Sequence, residues 1–301
     1  MKLKKIKIEL TWYSFIILSI TTVLVLVYYP MLTSIKYSFY DISMIGEAEK
    51  FVGIKNYKLL FSHSSFLKAL KNTLILLTIS LGTTIPIGFL LANLINSLGR
   101  GKLQGFFRVG FYLPHIITGA TVTMILQVVL KANDGLFNNF LSAILGREIS
   151  IGWLSDSNYS KWGATLISFW SGLGYTILIN LANLQSIPTE LYEAANIDGA
   201  GPFQKLIHIT VPNMKSCFVF LLVTGVIGGM ARFTDLYIIG GNTTSGAPNG
   251  SLQTIMMYIY QFSFEKMEFG MASAGAMVLF LITLVFAVIS ARMSGFFKDP
   301  A

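Results

Sequence analysis

The sequence predicts an all-α, polytopic membrane fold with six transmembrane helices. Two observations carry that reading. Only 12% of the 301 residues are charged and 53% are hydrophobic, whereas a soluble domain carries about 25% charged residues. The apolar residues also fall in long runs, and a span needs about 20 of them. A third observation, one ordered loop between two of the runs, shapes the functional reading.

The six runs cover about 12–35, 70–95, 106–130, 162–184, 214–238 and 271–291. The first follows Lys2, Lys4, Lys5 and Lys7. Its length and the lack of a small-x-small site mark an uncleaved span, not a leader. Gly82, Pro86 and Gly88 lie in the second run, Pro114 and Gly119 in the third. Neighbouring helices can satisfy the backbone groups that such residues free. Pro86 and Pro114 read either as packing kinks or as gates. Lysine and arginine near the span ends set orientation. With the N-terminus inside, Arg100, Lys102, Arg108, Lys205, Lys215, Arg292 and Lys298 also fall inside. Trp12, Trp153 and Trp162 sit near the expected boundaries.

The expected outer loops are about 36–69, 131–161 and 239–270. Phe51–Phe61 (FVGIKNYKLLF) reads as a short element lying on the membrane surface. Gly240–Gly250 (GGNTTSGAPNG) reads as flexible and rich in turns. One domain spanning residues 1–301 is expected, without internal repeats.

Several function classes drop out. The net charge of +8 comes without a basic run interleaved with aromatics, so no nucleic-acid partner is expected. Cys217 is the one cysteine, and His63, His115 and His208 are scattered; neither a disulfide nor a metal centre is expected. Gly101-Lys102 lacks the upstream glycine of a phosphate loop. Asp235 is the one carboxylate in the six runs. An enzyme or an ion-driven carrier needs titratable groups there, so neither is expected. The energy source then lies on another chain.

The loop between the fourth and fifth spans holds EAANIDGAGPFQKLIHITVP, Glu193–Pro212. Ser186-Ile187-Pro188-Thr189-Glu190 supplies hydroxyl caps, an early proline and a first-turn acid, which start a helix. Leu191, Ala194 and Ala195 form a small apolar face, and Glu190 and Glu193 an acidic edge. Gly199 and Gly201 end that helix. Pro202 starts a second, with Phe203, Leu206 and Ile207 on one face, and Pro212 breaks it. Alanines allow close approach, so the first helix suits a groove on a soluble protein. A loop packed on its own spans is the alternative.

Glu193, Ala194, Ala195, then Gly199, Ile209 and Pro212 resemble the signature of permease subunits of binding-protein-dependent ABC importers. Val211 stands where that family prefers leucine. Phe51–Phe61, 106–120 (FFRVGFYLPHIITGA), 180–204 (NLANLQSIPTELYEAANIDGAGPFQ) and 269–280 (FGMASAGAMVLF) are similar to the maltose-type carbohydrate-uptake branch. The resemblance implies an all-α fold with a cytoplasmic coupling helix. Glu190, Glu193, Ala194, Ala195, Asp198, Gly199 and Pro212 would then couple to an ATPase. It also implies a bacterial cytoplasmic membrane, both termini inside, and four partners. These are a second permease, a cytoplasmic ATPase dimer holding ATP and magnesium, an external solute-binding protein and a sugar. The chain itself would carry no cofactor.

Extending the resemblance through the stretch LQSIPTELYEAA, Leu184–Ala195, assigns solute contacts to Ser168, Ser171, Gly172 and Tyr175. On the next span it assigns Gly225, Gly228, Gly229 and Arg232. Each set falls on one helical face. Helix packing by small residues explains the serines and glycines equally well. Arg232 lies three residues from Asp235. It reads as an internal ion pair, as a snorkelling cation or as a binder of an acidic sugar. Importers of amino acids, polyamines or glycerol phosphate are alternatives. A membrane receptor or scaffold that recruits a soluble protein is another.

Overall fold

The computed structural model describes residues 12–13, 16–43, 50–99 and 101–294. Lys2, Lys4, Lys5, Lys7, Arg100 and Lys298, and both termini, lie outside that set. The elements in chain order are helices except for one two-stranded pair. They are α1 (Ile16–Tyr37), β1 (Tyr40–Asp41), β2 (Lys50–Phe51), α2 (Lys55–Ser62), α3 (Ser64–Ser97), α4 (Lys102–Ile116) and α5 (Gly119–Val129). After them come α6 (Leu136–Leu145), α7 (Ser160–Leu184) and α8 (Thr189–Ile197), then α9 (Pro202–Asn213). The last four are α10 (Lys215–Met230), α11 (Thr234–Ile239), α12 (Ile255–Tyr260), which runs on into a π turn at Gln261–Glu265, and α13 (Phe269–Ser294).

Among the described residues, four helices are long and apolar enough to cross a membrane: α1, α3, α7 and Phe269–Ser290 of α13. Two bent pairs raise the number to six if each is one span. One is α4 with α5, bent by 99°. The expected third span is therefore not a kinked rod. Pro114 lies inside α4, and the chain turns at Ile117 and Thr118, both extended. The Thr118 hydroxyl accepts from Thr121 N at 3.4 Å and restarts the helix. The other pair is α9 with α10, bent by 60°. The expected fifth span, 214–238, also ends early. Helix α10 stops at Met230, and residues 231–233 are irregular before α11.

Pro212 lies one residue before the end of α9 at Asn213, so the helix stops there as expected, after a turn that accommodates the ring. The turn Leu206–Thr210 is a π turn, in which Val211 N donates to Leu206 O. The wider turn makes room for a ring that would otherwise meet a carbonyl one turn back. The same device precedes Pro30, where Leu24–Tyr28 is a π turn.

The chain divides into two compact units, residues 1–64 with 259–279, and residues 65–258 with 280–301. In the first, Tyr40 pairs with Phe51 and Asp41 with Lys50. Asn56 donates Nδ2 to Ser38 O (3.0 Å) and Tyr40 O (2.9 Å). Phe269 N reaches Ile42 O at 2.9 Å. Asn56 and Leu60 of α2 are buried. The Phe51–Phe61 segment is thus packed into its own unit, not merely laid on a surface.

In the second unit, Phe89, Ala92 and Ile95 of α3, Leu173, Ile177 and Leu181 of α7, and Met214, Cys217 and Leu221 from the α10 region form the main core. Helices α4 and α7 meet at Gly174, where a Cβ would collide with Phe111 O. The segment 240–250 is not loose. Asn72 Nδ2 holds Gly250 O (2.9 Å) and Gln253 O (3.0 Å), and Gln253 Nε2 holds Thr244 O at 3.1 Å.

Gly174→Val should therefore lower the thermal unfolding midpoint in detergent, by an amount equivalent to about 1–3 kcal/mol. Gly82→Ala, where a Cβ meets open space in a helix interior, should leave it level or raised.

Candidate functional site

Helices α3, α7 and α10 run beside each other through small residues. Ser80 Oγ lies 3.2 Å from Ser168 Oγ. A Cβ on Gly225 or Gly229 would press on Leu81 or Leu77. Glycine keeps α10 close to α3 there without filling the space beyond. The result is a cavity of about 680 Å³. All eight residues expected to contact solute line it: Ser168, Ser171, Gly172, Tyr175, Gly225, Gly228, Gly229 and Arg232.

The cavity is bordered by both helix breaks. Pro114, His115, Ile117 and Gly119 come from the first, and residues 231–235 from the second. His115 escaped the sequence reading. Its Nδ1 lies 3.1 Å from Ser171 O, and its ring centroid lies 5.4 Å from that of Tyr175. A carbonyl only accepts, so Nδ1 is the donor in that contact. The position beside Pro114 was the available signal. Thr84 also lines the cavity, and its buried Oγ1 has no protein partner.

Arg232 sits past the end of α10, so it does not continue the glycine face as a helical residue. Its Nε and Nη2 donate to Asp235 Oδ2 at 2.8 and 2.6 Å, and Nη2 also reaches Ala164 O at 2.6 Å. The internal ion pair is thus formed, with side chains 11% and 19% exposed. Nη1 is buried without a protein partner. Arg232 O accepts from Thr254 Oγ1 at 2.9 Å, which satisfies backbone freed by the break.

The loop candidates occupy another part of the second unit. No residue of α8 is buried, and Ile197 is 88% exposed. Its N-cap is Pro188, without a side-chain cap, so the expected hydroxyl cap is absent. Ser186 Oγ bonds Asn183 O instead. Gly199 adopts φ +75°, and Ala200 N closes on Ala195 O at 2.9 Å, a left-handed helix end. Lys205 Nζ bonds Asn196 Oδ1, and Tyr192 OH pairs with Thr210 Oγ1 at 2.9 Å. Helices α8 and α9 are therefore braced together. Glu190, Glu193, Ala194, Ala195, Asp198 and Gly199 cluster on this brace; Pro212 lies further along α9, past the π turn.

The profile of the binding-protein-dependent transport system inner membrane component family matches residues 84–294. That range includes both helix breaks, the α8 loop and most of the cavity. The chain belongs to this family. This inner membrane component is 33% identical over 275 residues to the arabinooligosaccharides transport system permease protein AraP of Bacillus subtilis, covering 91% of this chain and 85% of AraP. It is 29% identical to the multiple sugar-binding transport system permease protein MsmF of Streptococcus mutans, covering 99% and 100%. A chain of the bacterial alginate ABC transporter, solved in complex with an alginate pentasaccharide-bound periplasmic protein, superposes with a TM-score of 0.83 at 25% identity, covering 99% and 98%. The inner membrane component is a transport subunit of a multi-pass kind, and it works with a binding protein.

Removing one partner of a mostly buried ion pair strands the other charge. Arg232→Met should destabilise the subunit in detergent by about 3 kcal/mol, and Arg232→Met with Asp235→Leu should recover most of that loss. The checking measurement is a thermal unfolding midpoint at matched detergent concentration.

Proposed function

We propose that this chain is the solute-conducting subunit of an ATP-driven importer for an oligosaccharide or sugar derivative. It would have six spans and both termini inside. The single observation that supports this most is the convergence of all eight contact candidates on one cavity. The arabinooligosaccharide and multiple-sugar transport systems of AraP and MsmF support the sugar.

In this reading an external binding protein delivers solute to the cavity. Tyr175 stacks on a sugar ring, and Ser168, Ser171 and exposed backbone at Gly172, Gly225, Gly228 and Gly229 bond its hydroxyls. His115, beside Tyr175 on the cavity wall, adds a contact the sequence did not suggest. Helix α8 is the coupling helix. Its exposed Ile197 and acidic edge of Glu190 and Glu193 enter a groove on one subunit of an ATPase dimer that holds ATP and magnesium. A second, related permease completes the pathway.

An acidic sugar is the second reading. It draws on the unpartnered Nη1 of Arg232 and on the alginate-bound relative. The ion pair leaves Arg232 and Asp235 together neutral, so only that one guanidinium edge remains to meet a carboxylate.

The test is reconstitution with a second permease, the ATPase and the binding protein in vesicles. ATP-dependent uptake of the binding protein's sugar should require this chain; full assembly without uptake would defeat the proposal. Tyr175→Ala should lower uptake about tenfold, the scale of one lost contact near 1.4 kcal/mol, with ATPase co-purification unchanged. Gly199→Val should uncouple ATP hydrolysis from uptake, because a branched residue strains at φ +75°. Gly199→Asn should retain coupling, since asparagine tolerates that region.

A further inference from the structure

The N-terminal ends of α3 and α7 carry three lysines, Lys68, Lys71 and Lys161. Hydrogen bonds gather them around three consecutive residues. Lys68 Nζ donates to Asn249 O at 2.5 Å. Asn72, next to Lys71, donates to Gly250 O at 2.9 Å. Ser160, next to Lys161, shares a 2.7 Å hydrogen bond with Ser251 Oγ. Asn249 Nδ2 completes the set by reaching Ser157 Oγ at 3.2 Å. Lys161 feels the charges of both Lys68 and Lys71.

Three like charges repel when held together. None of the three has an ion-pair partner among the described residues. Asp156, the nearest acid along the chain to Lys161, accepts from Asn158 N through Oδ1 at 2.9 Å and makes no salt bridge with these lysines. Lys68 and Lys71 are exposed and Lys161 is half-buried. The exposed aromatics Tyr159 and Trp162 flank Lys161. The patch is cationic, and no salt bridge neutralises it among the described residues.

We propose that Lys68, Lys71 and Lys161 form a seat for an acidic patch on the soluble binding protein. Solute is a poorer occupant, because none of the three lines the cavity. Lipid is also poorer. Helix α3 has 34 residues, about 50 Å of length against about 30 Å of hydrocarbon, and its first turns are bonded to the polar loop residues Asn249 and Gly250. Rim charges of this kind set association rate and salt dependence. The proposal rests on the importer reading, which puts these helix ends outside.

The experiment uses the assembled importer in nanodiscs of uncharged phosphatidylcholine. The sugar-loaded binding protein is titrated against it at low and high salt. Lys68→Gln with Lys71→Gln and Lys161→Gln should weaken docking about tenfold at low salt and flatten its salt dependence. The three Lys→Arg changes should retain docking. Lys71→Glu alone should weaken it in the same direction; Lys71 donates no hydrogen bond among the described residues, so the fold is preserved. Unchanged docking in the triple Gln variant, or equal loss at both salt levels, overturns the seat. Loss of sugar uptake with docking intact also overturns it. A membrane-impermeant maleimide added outside cells should label Lys71→Cys; labelling from the inside only overturns the proposal together with its topology. Wild-type docking without any ATP-driven uptake would instead overturn the importer reading.

Discussion

One constraint organises this molecule: a backbone amide or carbonyl in hydrocarbon must find its partner within protein. Uninterrupted helices meet that condition locally, and α1, α3, α7 and α13 do so. The informative places are those where the ladder is broken at apolar depth. Ile117 and Thr118 form one break, and residues 231–233 the other. The second is tied down by the Thr254 hydroxyl on Arg232 O. The first restarts through the Thr118 hydroxyl. Both breaks border the same cavity. Non-helical backbone within a membrane protein is tolerated where it lines a cavity, and here both breaks line this one.

Much of this was legible in the sequence. The apolar runs placed the main helices to within a few residues at most ends. The spacing of Ser168, Ser171, Gly172 and Tyr175 put them on one face, and that face borders the cavity. Gly199 read correctly as a helix end, because only a left-handed residue lets Ala200 N return to Ala195 O. The failures share a cause. Apolar composition reports depth, not continuity, so residues 106–130 and 214–238 looked like single rods. A bend of 99° leaves hydropathy unchanged. His115 was missed because a lone histidine without a partner at helical spacing carries no pattern. The turn-rich segment 240–250 looked loose because its partners, Asn72 and Lys68, lie far away along the chain.

The Arg232–Asp235 pair links the two themes. A buried guanidinium is costly unless paired, and here most of its donors are spent within the fold. Two go to Asp235 and one branch also serves Ala164 O. The pair therefore fastens the broken end of α10 to α7 while adding no net charge to the cavity wall. Aliphatic side chains such as Leu76, Leu81 and Ile167 line the cavity together with uncharged hydroxyls, glycine backbone and the Tyr175 and Phe233 rings.

The π turns before Pro30 and Pro212 have an implication for how these helices are phased. Each inserts one surplus residue into the winding, which rotates everything downstream by about 100° about the helix axis. The stripe that faces inward before the turn is consequently not the stripe that faces inward after it. In α9 this decouples the braced segment carrying Lys205 from the segment that feeds α10. A helical wheel drawn through Leu206–Thr210 as one regular rod would therefore assign the wrong residues to the interior.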